Sequence, residues 1–370
     1  MSDGPSAEAT LQVGDAFFMK TSHSMTGRRV LKKIGIGFVG SGFLADVYAR
    51  CYGEMPHVDL VAVSSKTEGH ARDFAERFGL KAWYGDYEEM LERDDVDAVN
   101  VCVPNHLHAP VTVSAAEHGK HVLCTKPLAV SMEQAEAMVG ACRRAGVALM
   151  YGENWLYAPA VEQVRGILGE GALGEVLAIE AREQHSGSHS PYSTRREYTG
   201  GGVLIHMAVH PIGLVMHTMG RPVERVYAEL GNLHHEMEVE DYAVLLMRFE
   251  GGAAGIAQSN YITKGGMQDR IEIYGTEGIA FIDMTHAGPV RLYSEAGYGY
   301  VVEKASMSRG WTSPVIDEAA QYGFHGMLRH FVDCVSEERE PTSTGAFGRE
   351  VLRVVFAGYE SYDRKAAVSL

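Results

Sequence analysis

The sequence predicts an α/β chain: a doubly wound parallel sheet, then a second α+β domain on an open, largely antiparallel sheet. Three observations carry this. From Lys33 to Tyr151 short apolar runs alternate with helical runs, at the spacing of βαβ units. The first of these junctions is punctuated by Gly40 and Gly42, as a tight strand-to-helix turn requires. Beyond Ala160 the texture changes to strands joined by turns such as Glu250, Gly251, Gly252 and the stretch from Gly275 to Gly278.

The elements follow in order. Ile34 to Val39 is apolar enough for a strand buried on both faces, and Leu44 to Arg50 continues as a helix. Gly40, Gly42 and Ala45 make the G-x-G-x-x-A form of the dinucleotide fingerprint, with Phe43 and Leu44 opening the helix whose N-terminus faces a phosphate. Gly35, Gly37 and Gly40 also fit the pattern but would place the turn inside the strand. This is the Rossmann arrangement. Val58 to Val63 is the second strand. It ends in Ser64, Ser65, Lys66 and Thr67, without the acidic residue that usually grips the ribose 2′-hydroxyl of NAD. Ser65 and Lys66 suit a 2′-phosphate, so NADP is favoured over NAD.

Ala71 to Phe78 is a helix stopped by Gly79, and Val96 to Val103 a strand closing at Pro104, Asn105, His106, Leu107 and His108. Val111 to His118 is helical, His121 to Cys124 a strand that runs into Thr125, Lys126 and Pro127. Ser131 and Gln134 form a capping box for a helix ending at Gly146, and Val147 to Tyr151 is the last strand of the set. Gly40, Ser65, Pro104, Lys126 and Glu153 all fall at carboxyl ends of strands, where the ligand crevice of such a sheet lies. In the second half, a helix after Ala160 leads to a strand from Glu175 to Arg182. A polar loop follows with His185, Ser186, Ser188, His189 and Tyr192. Gly200 to Gly202 opens a single helix from Val203 to Met219. Strands are expected at 225–230, 243–249, 253–260, 270–274 and 279–283, and helices near 327–336 and 348–362.

A length of 370 residues is enough for two domains, each with a core of its own. We set them at 31–155 for the dinucleotide-binding domain and 156–370 for the substrate-binding and oligomerisation domain, with 1–30 a tail or arm. The net charge of −15 and the lack of a basic cluster argue against nucleic acid and anionic membranes as partners. No run of eighteen apolar residues is present, and no secretory pattern opens the chain. Five scattered cysteines without a C-x-x-C read as reduced thiols of a cytoplasmic protein.

The residues that resemble a known family are Gly40 and Gly42, the run from Pro104 to His108, Lys126 with Pro127, Gly200 to Gly202 followed by His206 and His210, and Ile271 to Gly278. They resemble the glucose–fructose oxidoreductase, inositol dehydrogenase and rhizopine-catabolism (Gfo/Idh/MocA) family, from about Lys32 to Leu370. The resemblance implies a nicotinamide-dependent oxidoreductase acting on a sugar, glycoside or cyclitol. It also implies a homodimer or homotetramer built on the second sheet. Two departures stand out: Thr125 where the family usually has Glu before Lys-Pro, and His206 where it usually has Asp four residues before the histidine matched by His210. Each removes a carboxylate from the neighbourhood of the reacting carbon.

Hydride transfer from a carbinol needs a group that takes the hydroxyl proton. Lys126 is the expected base, and the resemblance gives His210 a proton-sharing or substrate-contacting role. As neighbours four apart on one helix, His206 and His210 would share a face. His206 either hydrogen-bonds substrate or packs. A lower-ranked possibility is that His206, His210, Glu153 and His185 hold a divalent metal. Glu153, Tyr157, His185, His189 and Tyr192 are further candidate substrate contacts. Asn154 and His108 join Pro104, Asn105 and Lys126 on the cofactor side. Two other functions stay open: a glycoside-cleaving enzyme using transient redox with retained cofactor, and a nucleotide-binding regulatory protein.

Overall fold

The computed structural model describes residues 33–188, 192–286, 288, 290–297, 309–314 and 316–370. The expected tail at 1–30 and His189 lie outside the described residues. The first sheet uses β1 (Ile34–Val39), β2 (Val58–Ser64), β3 (Ala82–Tyr84), β4 (Ala98–Val101), β5 (His121–Thr125) and β6 (Leu149–Gly152). They run parallel in the order β3-β2-β1-β4-β5-β6, so the winding reverses between β1 and β4. Every residue of β1 is buried, as its unbroken apolar run requires. The capping residues act as read: Ser131 Oγ accepts from Gln134 N–H at 3.2 Å, and the helix Met132–Ala145 ends at Gly146 with φ 69°. Gln134 returns its side-chain oxygen to Val130 N–H instead of the cap's own amide. β3 and the short helix Tyr87–Leu91 were too brief to show a period; Asp86 starts that helix by accepting from Glu88 N–H at 3.0 Å.

The second sheet is formed by β7 (Val176–Gln184), β8 (Val223–Gly231), β9 (Tyr242–Phe249), β10 (Ala254–Asn260), β11 (Gln268–Gly275) and β12 (Ile279–Asp283). β13 (Leu292–Ser294) and β14 (Gly310–Thr312) form a two-stranded antiparallel sheet, and β15 (Val368–Ser369) pairs with β8. The order is β12-β11-β7-β10-β9-β8-β15. All pairings are antiparallel except β7 with β10, which run parallel because the chain crosses over through helices before β8. Alternate residues of β7 to β11 face the helix layer, and the other set faces away from it.

The buried apolar residues of both sheets form one continuous cluster, from Ile36 and Val99 through Met150 and Leu204 to Ile271 and Val368. The expected pair of separate cores is therefore one shared core. The helix Gly345–Arg364 explains it, since it packs on β6 and β8 together.

The single helix expected from Val203 to Met219 is broken. It consists of Val203–His206 and Val209–Met219, and the stretch Arg196–His206 meets Val209–Met219 at a bend of 48°. Pro211 is the cause: it has no N–H to give the carbonyl four residues back, and its ring would strike that carbonyl, Met207. Met207 leaves helical geometry at φ −125°, and His210 N–H bonds back to Met207 O at 3.1 Å. Among the described residues no single helix is long and apolar enough to cross a membrane.

Candidate active site

A cavity of about 440 Å3 opens at the carboxyl ends of β1, β4, β5 and β6, at the point where the winding reverses. From the first sheet it is lined by Gly42, Phe43 and Leu44, by Pro104 and Asn105, by Thr125 and Lys126, and by Asn154 and Trp155. From the second half it receives Glu183, His185, Ser188, Tyr192, His206, Met207, His210 and Met267. Tyr322 and Phe324 close it.

The glycine turn is shaped for a dinucleotide. Gly40 has φ 105°, and a Cβ there would stand 2.2 Å from Cys102 O, so β1 and β4 can approach only because the side chain is missing. Gly42 is the N-cap of the helix Phe43–Gly53 and has no side-chain cap bond. A Cβ on Gly42 would meet no atom within 4 Å. Free amides at a helix N-terminus with open space before them fit a diphosphate. Gly40 itself sits behind the cavity wall, its N–H on Ser64 O at 2.8 Å. Ser65 and Lys66 follow the end of β2, beyond the cavity, and Lys66 is exposed.

Lys126 ends β5, joined to Pro127 by a cis peptide. Its Nζ donates to His206 O at 2.7 Å. In an unbroken helix that carbonyl would accept from His210 N–H; the break at Met207 leaves it open, and Lys126 Nζ takes the bond. Thr125, where the family usually carries Glu, is buried and brings its hydroxyl to 3.4 Å from His108 Nε2.

The break also separates the two histidines. They line the same cavity but do not share one helical face, so that expectation is corrected. His206 Nδ1 lies 3.5 Å from Asn105 Nδ2 and its Nε2 3.5 Å from Ser188 Oγ, both at the outer limit of a hydrogen bond. His210 is held much more tightly. Its Nδ1 donates to Glu153 Oε1 at 2.7 Å, and the Trp155 ring stacks on it at 5.5 Å with 15° between planes. In the neutral imidazole this bond puts the proton on Nδ1 and leaves Nε2 as the ring's acceptor.

Three expected ligand contacts are corrected. Glu153 is fully buried and does not line the cavity; it binds His210 and Trp155 N–H (3.2 Å), and its Oε2 has no hydrogen-bond partner among the described residues. It acts through the imidazole. Tyr157 turns away from the cavity, its hydroxyl 3.0 Å from Ser343 Oγ, with burial pushing its pKa up to about 12. His108 is buried with Nδ1 2.8 Å from Pro127 O and Nε2 3.0 Å from Val103 O, pinning the ends of β4 and β5 together. Burial holds its pKa below the ordinary imidazole value. His185 does line the cavity, with Nδ1 accepting from Gly187 N–H at 3.2 Å. Asn154 lines it too and donates to Tyr322 O at 2.7 Å, tying the end of β6 to the closing segment. Among the described residues no group of three or more His, Cys, Asp or Glu side chains is placed to hold a metal ion. The four-ligand arrangement fails because His206 and His210 turn to different partners.

Sequence reading missed several residues. Glu240 accepts from Gly202 N–H (3.0 Å), Leu204 N–H (3.1 Å) and Tyr359 Oη (2.7 Å), fixing the start of the broken helix that carries His206. No local signal marked it, because its partners are more than thirty residues away. Glu183 was legible in principle: it continues the inward-facing alternation of Ile179 and Ala181 along β7. Pro211 inside a helical run was the plainest missed sign.

An oxidoreductase family model described as an NAD-binding Rossmann fold matches residues 34–153, and a GFO/IDH/MocA C-terminal domain model matches 161–281, together well over half of the chain. The chain belongs to the Gfo/Idh/MocA family. Among its family relatives, myo-inositol 2-dehydrogenase of Thermotoga maritima is 26% identical over 344 residues, covering 90% of this chain and 98% of the relative. D-Glucoside 3-dehydrogenase of Escherichia coli is 33% identical over 190 residues, 50% of this chain and 54% of the relative. The crystal structure of GenD2 from gentamicin A biosynthesis, in complex with NAD, superposes with a TM-score of 0.88 at 29% identity, covering 93% of this chain and 98% of that one.

Proposed function

We propose that this Gfo/Idh/MocA protein is an NAD(P)-dependent dehydrogenase acting on a secondary hydroxyl of a sugar, glycoside or cyclitol. Lys126 is the proton acceptor and His210 its partner at the substrate. The observation that carries the reading is the convergence of the Gly42 turn, Lys126 and His210 on one cavity. Bound nicotinamide supplies the hydride acceptor. The protein does the rest. The substrate hydroxyl hydrogen-bonds to Lys126 Nζ and His210 Nε2, its proton passes to one of them as the C–H bond breaks, and a ketone remains. Glu153 fixes the imidazole tautomer, so that a nitrogen lone pair is presented to the cavity. Trp155 and Met207 shield the reacting carbon from water. The relatives named above are dehydrogenases, and none of their names favours the glycoside-cleaving or regulatory alternatives.

Within this reading the boundary between the cofactor half (31–155) and the substrate half (156–370) falls between β6 and β7. The missing acid at the end of β2, with Ser65 and Lys66 in its place, supports NADP over NAD. The open face of the second sheet supports a homodimer or homotetramer, since Leu177, Leu246, Ile279 and Phe281 are 47–68% exposed on that sheet. Five free cysteines, with burial driving the Cys51 and Cys142 thiols up to about 12, suit a reducing cytoplasm.

The test is nicotinamide absorbance over a panel of sugars, glycosides and inositols with NADP and NAD separately. Reduction of the cofactor is expected, with kcat/KM higher for NADP and Lys126→Ala lowering kcat by roughly 10²–10⁴-fold. Full turnover in Lys126→Ala would remove the lysine from this role.

A further inference from the structure

A second cavity adjoins the first. It encloses about 280 Å3 between Ser193 and Thr194 on one side and His235, Glu236 and Met237 on the other. Ser188 belongs to both walls, so the two spaces are neighbours. Tyr261 lines the second cavity, and its ring lies 5.2 Å from that of His185, which lines the first. The second space therefore flanks the site that holds Lys126 and His210.

Its walls are built and held. The amides of Leu233, His234 and His235 all donate to the Asp241 carboxylate, at 2.7, 2.9 and 2.8 Å. His235 Nε2 is also 2.8 Å from Tyr261 O. Burial of Asp241 opposes its charge, yet these amides hold its carboxyl below the usual carboxylate range. A loop fixed at four points needs no ordering when a ligand arrives.

The chemistry of the chamber selects its occupant. The hydroxyls of Ser188, Ser193, Thr194 and Tyr261, an imidazole and a carboxylate line it, a polar set that matches a polyhydroxylated ring and disfavours an apolar group or an anion. At the boundary stands Tyr192, 46% exposed and lining the first cavity just before Ser193 and Thr194 enter the second. Tyr198 braces its ring edge-on at 5.2 Å, and the Arg195 guanidinium lies 5.4 Å from the Tyr198 ring. An exposed, braced aromatic face beside polar walls suits a sugar, whose C–H face is apolar and whose hydroxyl rim is polar. The chamber's volume is near the lower bound of about 300 Å3 for small-molecule sites, enough for one ring and not a chain of them.

We propose that the substrate has two rings: the ring that is oxidised in the main cavity, and a second hydroxylated ring, joined through a glycosidic oxygen, in the flanking chamber. This rests on the dehydrogenase reading given above. Contacts of the second ring are made equally before and during hydride transfer, so they lower KM and leave kcat nearly unchanged.

The experiment compares matched pairs, each a free monosaccharide or inositol and its glycosylated counterpart in α and β linkage, using the full chain with NAD and with NADP. The best substrate is expected to be a two-ring compound with kcat/KM at least tenfold above its one-ring partner, the gain lying in KM. Thr194→Trp, at an exposed position, should fill the chamber and bring the two-ring value down to the one-ring value, with thermal unfolding and cofactor binding as checks on the fold. Should that variant not fold, Glu236→Ala, also exposed, is expected to cut the gain severalfold. A best substrate with one ring, or a two-ring gain that survives both variants, overturns the proposal while leaving the dehydrogenase reading intact. No turnover of any pair with either cofactor overturns both.

Discussion

The two walls of the cavity are made from different materials. On the side of β1 and β4 the fit to a ligand is a property of backbone: Gly40 lets two strands meet, and Gly42 leaves amides bare at a helix start. On the side of the broken helix it is a property of side chains held by distant partners. Lys126 rests on a carbonyl that only the break exposes, and His210 is fixed by Glu153 and Trp155. The first wall recognises charge without titrating; the second moves protons. A change in one should therefore alter binding alone, and a change in the other should alter rate alone.

The sharpest way to break this division is Pro211→Ala. Restoring the missing N–H lets the helix run through Met207, which withdraws His206 O from Lys126 and rotates His206 toward the His210 face. We expect kcat to fall on the order of 10²-fold, the cost of misplacing a catalytic group by about 1 Å, with cofactor affinity unchanged and thermal stability not lowered. An unaltered kcat would show that the break does not position the lysine. Gly42→Asp is the converse. The N-cap has φ −86° and room for a side chain, so the carboxylate should cap the helix and add about 0.3 kcal/mol of stability. The same charge should repel the diphosphate and weaken cofactor binding about tenfold or more, ~1.4 kcal/mol. Titration calorimetry and a melting curve read the two signs separately; a gain in both would move the phosphate site elsewhere.

The smallest effect is common to both halves. His108 and His121 in the first, and His217 and His330 in the second, have their pKa held below 6.5, in each case chiefly by burial. Below pH 6.5 the unfolded chain takes up protons that these folded rings refuse, so stability falls as pH drops and is level above that value. Melting curves between pH 7 and pH 5 should show Tm falling by about 2–4 °C for each kcal/mol lost. A Tm that rises toward pH 5 would contradict the depressed pKa of these rings.

The same contrast governs what could be read from the sequence. The glycine turn, the strand ends at Pro104 and Lys126, and the cap at Ser131 are local: a few adjacent residues determine each, so spacing alone revealed them. Glu240 and the Glu153–His210 pair join residues 36 and more positions apart, and only the fold brings them together. Tyr157 and His108 misled because both follow strand ends, the right neighbourhood, while their side chains turn inward to Ser343 and Pro127. His206 and His210 misled for want of attention to Pro211, which converts one face into two.

The helix Gly345–Arg364 has a consequence for how the molecule comes apart. After the second sheet is complete, the chain returns to the first: Tyr151 N–H bonds to Ser343 O at 2.7 Å, and Thr344 bridges Met150 at the free edge of β6. The same helix then lies across β8, where Ser361 accepts from Ala228 N–H at 3.1 Å. Residues late in the sequence thus complete the edge of the first sheet. Heat should release both halves in one transition, and a cofactor that touches mainly the first half should raise the temperature at which the second half lets go.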